Sequence, residues 1–122
     1  MARELLIAVI DDDASFRAAL VESLCSLGYE VRGFASAEDF VAGEEEISFD
    51  CIITDFHMPG MSGLDLQRLL AARDRRVPLI LITARAEPGL EARAAASGAV
   101  GLLRKPFASD ALLGCLARAL EA

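Results

Sequence analysis

The 122-residue sequence predicts an α/β fold: a doubly wound, five-stranded parallel sheet in the order 2-1-3-4-5 with five helices. Two observations predict it. Short β-branched runs alternate five times with amphipathic stretches, which is the pattern of βαβ units. The fourth run, Leu79 to Thr83, is apolar on both faces, as suits a central parallel strand covered by helices. Right-handed crossovers leave few other arrangements, and in this one ligands gather at the carboxyl ends of the strands.

The elements follow in order. Leu5 to Ile10 reads as the first strand, and a helix from about Ala14 to Leu27 carries Phe16, Leu20 and Leu24 every four residues, ending at Gly28. Glu30 to Phe34 is a short second strand. In "SAEDF", Ser36 can cap the second helix with Asp39 at the capping-box position, and Gly43 with Glu44, Glu45 and Glu46 reads as a turn. Asp50 to Thr54 is the third strand. The loop "DFHMPGMSG" leads into a helix from Leu64 to Arg73, with Leu66, Leu69 and Leu70 facing inward. After the fourth strand, a helix runs from about Pro88 to Ser97. "AVGLL", beyond Gly98, is the fifth strand, and Ser109 begins a last helix carrying Leu112, Leu113, Leu116 and Leu120.

Length and a hydrophobic content of 54% suit one domain with one core, spanning residues 1–122. The net charge of -7, without a basic run of five or more, argues against direct nucleic-acid binding. No stretch reaches the roughly 18 apolar residues of a spanning helix, so no membrane partner and a cytoplasmic location are expected. Cys25, Cys51 and Cys115 are odd in number, widely spaced and set among apolar residues, which reads as buried free thiols in a reducing compartment.

The strand ends carry the chemistry. Asp11 and Asp12 follow strand one, Asp55 follows strand three, Thr83 ends strand four and Lys105 follows strand five. Strands one, three and four are neighbours in the expected order, so their ends converge and three carboxylates share a pocket. Hard oxygen ligands with open positions suit Mg²⁺, which keeps water or phosphate oxygens as its remaining ligands. Lys105 is the single lysine among twelve basic residues. A compact ammonium can neutralise one phosphoryl oxygen where a wider guanidinium would crowd the site. Asp13, the third acidic residue of "IDDD", is placed to cap the first helix.

These residues resemble the receiver domains of two-component response regulators over the whole chain. The marks are "IDDD" at Asp11 and Asp12, "TDFHMPGMSG" at Asp55, "LITA" at Thr83 and "LLRKPF" at Lys105 and Pro106. The resemblance implies a chemotaxis-regulator-like, flavodoxin-like fold and a signalling role in which the domain catalyses only its own phosphorylation and dephosphorylation. It implies that Asp55 accepts a phosphoryl group from a sensor histidine kinase or a phosphotransfer protein. Asp12, Asp55 and the backbone carbonyl of His57 would hold Mg²⁺, with Asp11 acting through water. Thr83 would donate to the phosphoryl oxygen and act as a switch, and the Lys105–Pro106 bond would be cis. The signal would reach a downstream protein or output domain through the face of the fourth helix, fifth strand and fifth helix, a face that also admits homodimerisation.

Three positions depart from the pattern or vary within it. Receivers usually carry Tyr or Phe three residues before the lysine, where this chain has Leu102. His57, two residues past Asp55, and Arg85, two past Thr83, flank the site mouth, where the resemblance implies a modulating role because the family varies its phosphate lifetime there; the other reading is loop residues facing solvent. Other readings weigh less. A haloacid-dehalogenase-like phosphatase needs a second Asp where this chain has His57, and a flavodoxin-type module needs hydroxyl-rich phosphate contacts where it has three carboxylates. The alternative that keeps the chemistry is an amino-terminal receiver fragment of a DNA-binding transcriptional regulator.

Overall fold

Apolar runs of this chain form strands where helices can cover both of their faces. A computed structural model describes residues 5–43, 48–73, 77–85, 87–105 and 107–120. In order they form β1 (Leu6–Ile10), α1 (Ala14–Ser26), β2 (Glu30–Phe34), α2 (Ala37–Gly43), β3 (Cys51–Asp55), α3 (Gly63–Ala72), β4 (Leu79–Thr83), α4 (Leu90–Ala96), β5 (Gly101–Arg104) and α5 (Ser109–Leu120). All strands are parallel, in the expected order β2-β1-β3-β4-β5. Every residue of β3 and β4 is buried, as the central position requires. Among the described residues no helix is long and apolar enough to cross a membrane.

Side chains alternate along a strand, so each strand feeds two layers. Ala8, Ile10, Ile52 and Leu81 pack with Phe40 of α2, Leu66 and Leu70 of α3, and Leu90 and Ala94 of α4. On the other face Ile7, Val9, Ile53 and Ile82 pack with Leu20 and Leu24 of α1 and Leu112 and Leu116 of α5. Caps fix where the helices begin. Asp13 Oδ1 accepts from Phe16 N at 3.1 Å, Ser36 Oγ from Asp39 N at 3.0 Å, and Ser62 and Asp65 form a reciprocal capping box.

Several expected details differ. β1 begins at Leu6 instead of Leu5, and β3 starts at Cys51 because the Asp50 carboxylate accepts from Leu6 N at 2.8 Å, tying off the strand start. α1 ends at Ser26, not Leu27, and α3 is shifted one residue toward the N-terminus of the expected span because Ser62 supplies its cap. α4 is shorter than Pro88 to Ser97, since Gly89 at φ 80° sets its start, and β5 is Gly101–Arg104 rather than residues 99–103. Cys25 is exposed, unlike buried Cys51 and Cys115, because the buried stripe of α1 passes through Leu24 and leaves the next residue about 100° around the helix. By the same rotation Leu113 of α5 is 39% exposed and Leu120 half-buried, while Cys115 and Ala119 complete the stripe. Leu69 is half-buried and Leu64 takes the inward place. Gly43 belongs to α2; the expected turn at Glu44 to Glu46 and the cis bond to Pro106 lie outside the described residues.

The start of α3 lies against the end of β3. Gly63 N donates to Phe56 O at 3.1 Å, and a Cβ at Gly63 would stand 2.6 Å from the backbone oxygen of Asp55 and 2.9 Å from Leu81 Cδ2. Neither backbone can retreat without breaking the ladder. Gly63→Ala should therefore destabilise the fold by about 1 to 3 kcal/mol despite the better helix propensity of Ala, read as a lower urea midpoint at unchanged m. An unchanged midpoint would show that the contact can relax. Burial pushes the Cys51 thiol up to about 12, so it stays protonated and shielded. A maleimide should label one cysteine, Cys25, in the native chain and all three in denaturant, as counted by mass spectrometry.

Candidate functional site

The ladder brings the predicted residues to one edge of the sheet. Asp11 N donates to Phe34 O at 3.1 Å, Phe56 N to Ile82 O at 2.7 Å and Lys105 N to Thr83 O at 2.8 Å, so the ends of β1, β3, β4 and β5 stand level. Among the described residues the buried polar side chains are Asp11, Thr54, Asp55 and Thr83, three of them at this edge. The buried core thus opens to chemistry at one place.

Lys105 Nζ lies 2.9 Å from Asp11 Oδ2 and 3.5 Å from Asp55 Oδ2. Asp11, Asp12 and Asp55 each offer a carboxylate oxygen, and these lie within 4.8 Å of one another, with Asp12 exposed and the others buried. Three carboxylates face one ammonium. Burial raises the pKa of Asp55 above the ordinary carboxylate value, the Asp11 charge raises it further, and Lys105 and the His57 N–H only partly oppose this. For Lys105, burial works against the charged form, but the hydrogen bond to Asp11 and the attraction of Asp55 outweigh it, and its pKa is raised. The cluster therefore has an excess of negative charge and a hard-oxygen donor set, both of which fit a divalent cation such as Mg²⁺.

Local turns aim these groups. Asp11 Oδ1 accepts from Asp13 N at 2.9 Å and Asp55 Oδ1 from His57 N at 3.2 Å, so each carboxylate is oriented by the backbone two residues ahead. Thr83 is fully buried; its Oγ1 donates to Arg85 O at 3.2 Å and accepts from Arg85 N at 3.0 Å. Its hydroxyl is turned to its own loop. Leu102 is half-buried against the core and, with Thr83, Arg85, Leu90 and Arg104, lines a cavity of about 620 Å³. Asp12, His57 and Arg85 share a second, open pocket of about 470 Å³ at the mouth.

Neighbours that sequence reasoning did not single out complete the site. Arg17 Nη1 donates to Asp11 O at 2.6 Å, and the Phe16 ring centroid lies 4.0 Å from Lys105 Nζ. His57 Nε2 stands 3.2 Å from Glu87 Oε1 without a hydrogen bond between them, an ion pair only when the imidazole is protonated. The guanidinium of Arg93 in α4 lies 5.3 Å over the Phe56 ring. Phe16 sat in the helical stripe of α1 and read as core, and Arg17, Glu87 and Arg93 carry no signal in the sequence that marks them out. No periodicity separates these roles.

The comparisons with known proteins agree with this geometry. The model of the response regulator receiver domain matches residues 7–117. The response regulator protein TmoT of Ectopseudomonas mendocina is 35% identical over 119 residues, covering 98% of this chain and 54% of that protein. The transcriptional regulatory protein FixJ of Bradyrhizobium diazoefficiens is 35% identical over 115 residues, covering 94% of this chain and 56% of that protein. The chain thus spans about half the length of these curated relatives. Among solved structures, FixJ-N superposes with a TM-score of 0.90 at 30% identity, covering 98% of this chain and 96% of that one. Five parallel strands in this order, an acidic cluster at their carboxyl edge and a family match over most of the sequence place the chain among the receiver domains of response regulators.

Proposed function

We propose that this receiver takes a phosphoryl group onto Asp55 from a phosphohistidine of a sensor histidine kinase or phosphotransfer protein. The observation that carries this reading is the position of Asp55, a buried carboxylate 3.5 Å from Lys105 Nζ and clustered with the carboxylates of Asp11 and Asp12 at the carboxyl edge of the sheet. A carboxylate is nucleophilic without a general base. An Asp55 oxygen forms the new O–P bond, the donor's P–N bond breaks with its electron pair passing to the imidazole nitrogen, and that nitrogen takes up a proton from water. Lys105, already pointed between Asp11 and Asp55, follows the charge onto a phosphoryl oxygen. Asp12, Asp55 and the His57 carbonyl would hold Mg²⁺, with Asp11 acting through water. When bound, the ion supplies charge neutralisation to the phosphoryl oxygens. His57 and Arg85 at the mouth then set how readily water reaches the acyl phosphate.

Thr83 reports the event. To donate to the phosphoryl group its hydroxyl gives up Arg85 O, and the β4–α4 loop moves with it. The cavity beside Leu102 accepts the inward rotation that follows, so the signal emerges on the face of α4, β5 and α5, where a downstream protein, an output domain or a second copy docks. The relatives' names, a response regulator and a transcriptional regulatory protein of about twice this length, favour an output in gene regulation.

Acetyl phosphate with Mg²⁺ should label wild-type protein at Asp55, and Asp55→Asn or an excess of EDTA should abolish the label on intact-mass spectra. Persistent labelling of Asp55→Asn would remove Asp55 as the acceptor. Leu102 covers and exposes less surface on rotation than the aromatic residue of other receivers, so the two states differ less in energy, and a modification shifts populations only by that difference. At saturating beryllofluoride, amide spectra of residues 84–104 should retain a residual inactive population, which Leu102→Tyr should diminish. Complete switching of the wild type would show that Leu102 costs nothing.

A further inference from the structure

Lys105 is held from two sides. Toward the sheet edge its ammonium meets Asp11 Oδ2 at 2.9 Å and Asp55 Oδ2 at 3.5 Å; it also stands 4.0 Å from the centroid of the Phe16 ring, within cation–π range. That ring is itself braced. Phe107, beyond β5, meets Phe16 edge to face, with centroids 6.0 Å apart and planes at 78°. Phe16 sits in the first turn of α1, whose start is set by the Asp13 cap directly after the acidic pair, so the helix that follows the carboxylates also supplies the ring.

We propose that Phe16 is a positioning residue for phosphoryl transfer, its ring face holding the Lys105 ammonium in line between Asp11 and Asp55; this rests on the phospho-acceptor reading of Asp55. A lysine stem is flexible, and the ring gives its ammonium a third neighbour beside the Asp11 and Asp55 carboxylates. An aromatic face attracts the cation without competing strongly for its N–H protons, which stay directed at oxygens. The ammonium can therefore pass from the carboxylates to a phosphoryl oxygen while its stem stays in place. Phe16 is half-buried at the border of the core, while Leu20 and Leu24 fill the buried stripe of α1. A leucine at 16 would keep an apolar contact with the core but would lose the edge-to-face contact with Phe107 and offer Lys105 no face.

The test uses the fact that Lys105 is the single lysine, so lysine-labelled protein gives one set of side-chain NMR signals. The ring current should move the Lys105 CεH₂ protons upfield in the wild type and in Phe16→Tyr, and Phe16→Leu should return them to the ordinary lysine position. Labelling of Asp55 by acetyl phosphate should slow roughly tenfold in Phe16→Leu and stay near wild type in Phe16→Tyr. An unshifted wild-type lysine signal would overturn the proposal without any variant having to fold. So would a folded Phe16→Leu protein that labels at the wild-type rate, or a Phe16→Tyr protein as slow as Phe16→Leu. If the wild type takes no label, the phospho-acceptor reading and this role fall together, and the shifted lysine signal would still separate that result from misplacement of the ring.

Discussion

The contact of Lys105 with Asp11 and Asp55 is the interaction on which the site is organised. Two carboxylates at the end of a parallel sheet are nearly without solvent, and each would be costly to bury alone. One ammonium reaches both, from a strand two places away from β3 across the sheet. That single charge leaves the cluster short of neutrality, and Asp12 adds a third carboxylate at the rim. An edge with the charge and the donor set to suit a divalent cation is the direct consequence of a deficit that the fold does not remove.

The scaffold makes this edge the outlet for polar groups. β3 and β4 are buried along their length and both faces of the sheet are covered, so a polar side chain on a central strand finds solvent only at the strand end. The approach of Gly63 to Asp55 O then seats α3 directly behind the loop that follows Asp55. Asp55 is thereby fixed from behind by a helix start and aimed by the His57 N–H, with its second oxygen facing Lys105.

On the other side of the site, several polar contacts lead toward α4. Thr83 spends its hydroxyl on its own loop, Leu102 borders a cavity instead of filling it, and contacts from His57 to Glu87 and from Phe56 to Arg93 join the loop after Asp55 to the α4 region. Gln67 Nε2 donates to Ser97 O at 2.9 Å, tying the far end of α4 to α3. These contacts add to the core packing of Leu90 and Ala94, so α4 is joined both to the sheet and to the loop that follows Asp55.

Much of this was legible in the residues alone. Alternating runs and the doubly apolar β4 determined the strand count and order, because parallel strands must bury both faces and right-handed crossovers restrict the topology. Asp11, Asp12, Asp55, Thr83 and Lys105 could be placed at one edge because each directly ends or follows a strand. What tertiary structure decided lies off that ladder. Whether Phe16 is core or a platform for Lys105, whether Glu87 faces His57, and whether Cys25, Leu69 or Leu113 turns inward depend on helix rotation and rotamer choice. A helical stripe is about 100° wide and its border residues are assigned only when a neighbouring element arrives, so that information lies in the packing and not in the spacing.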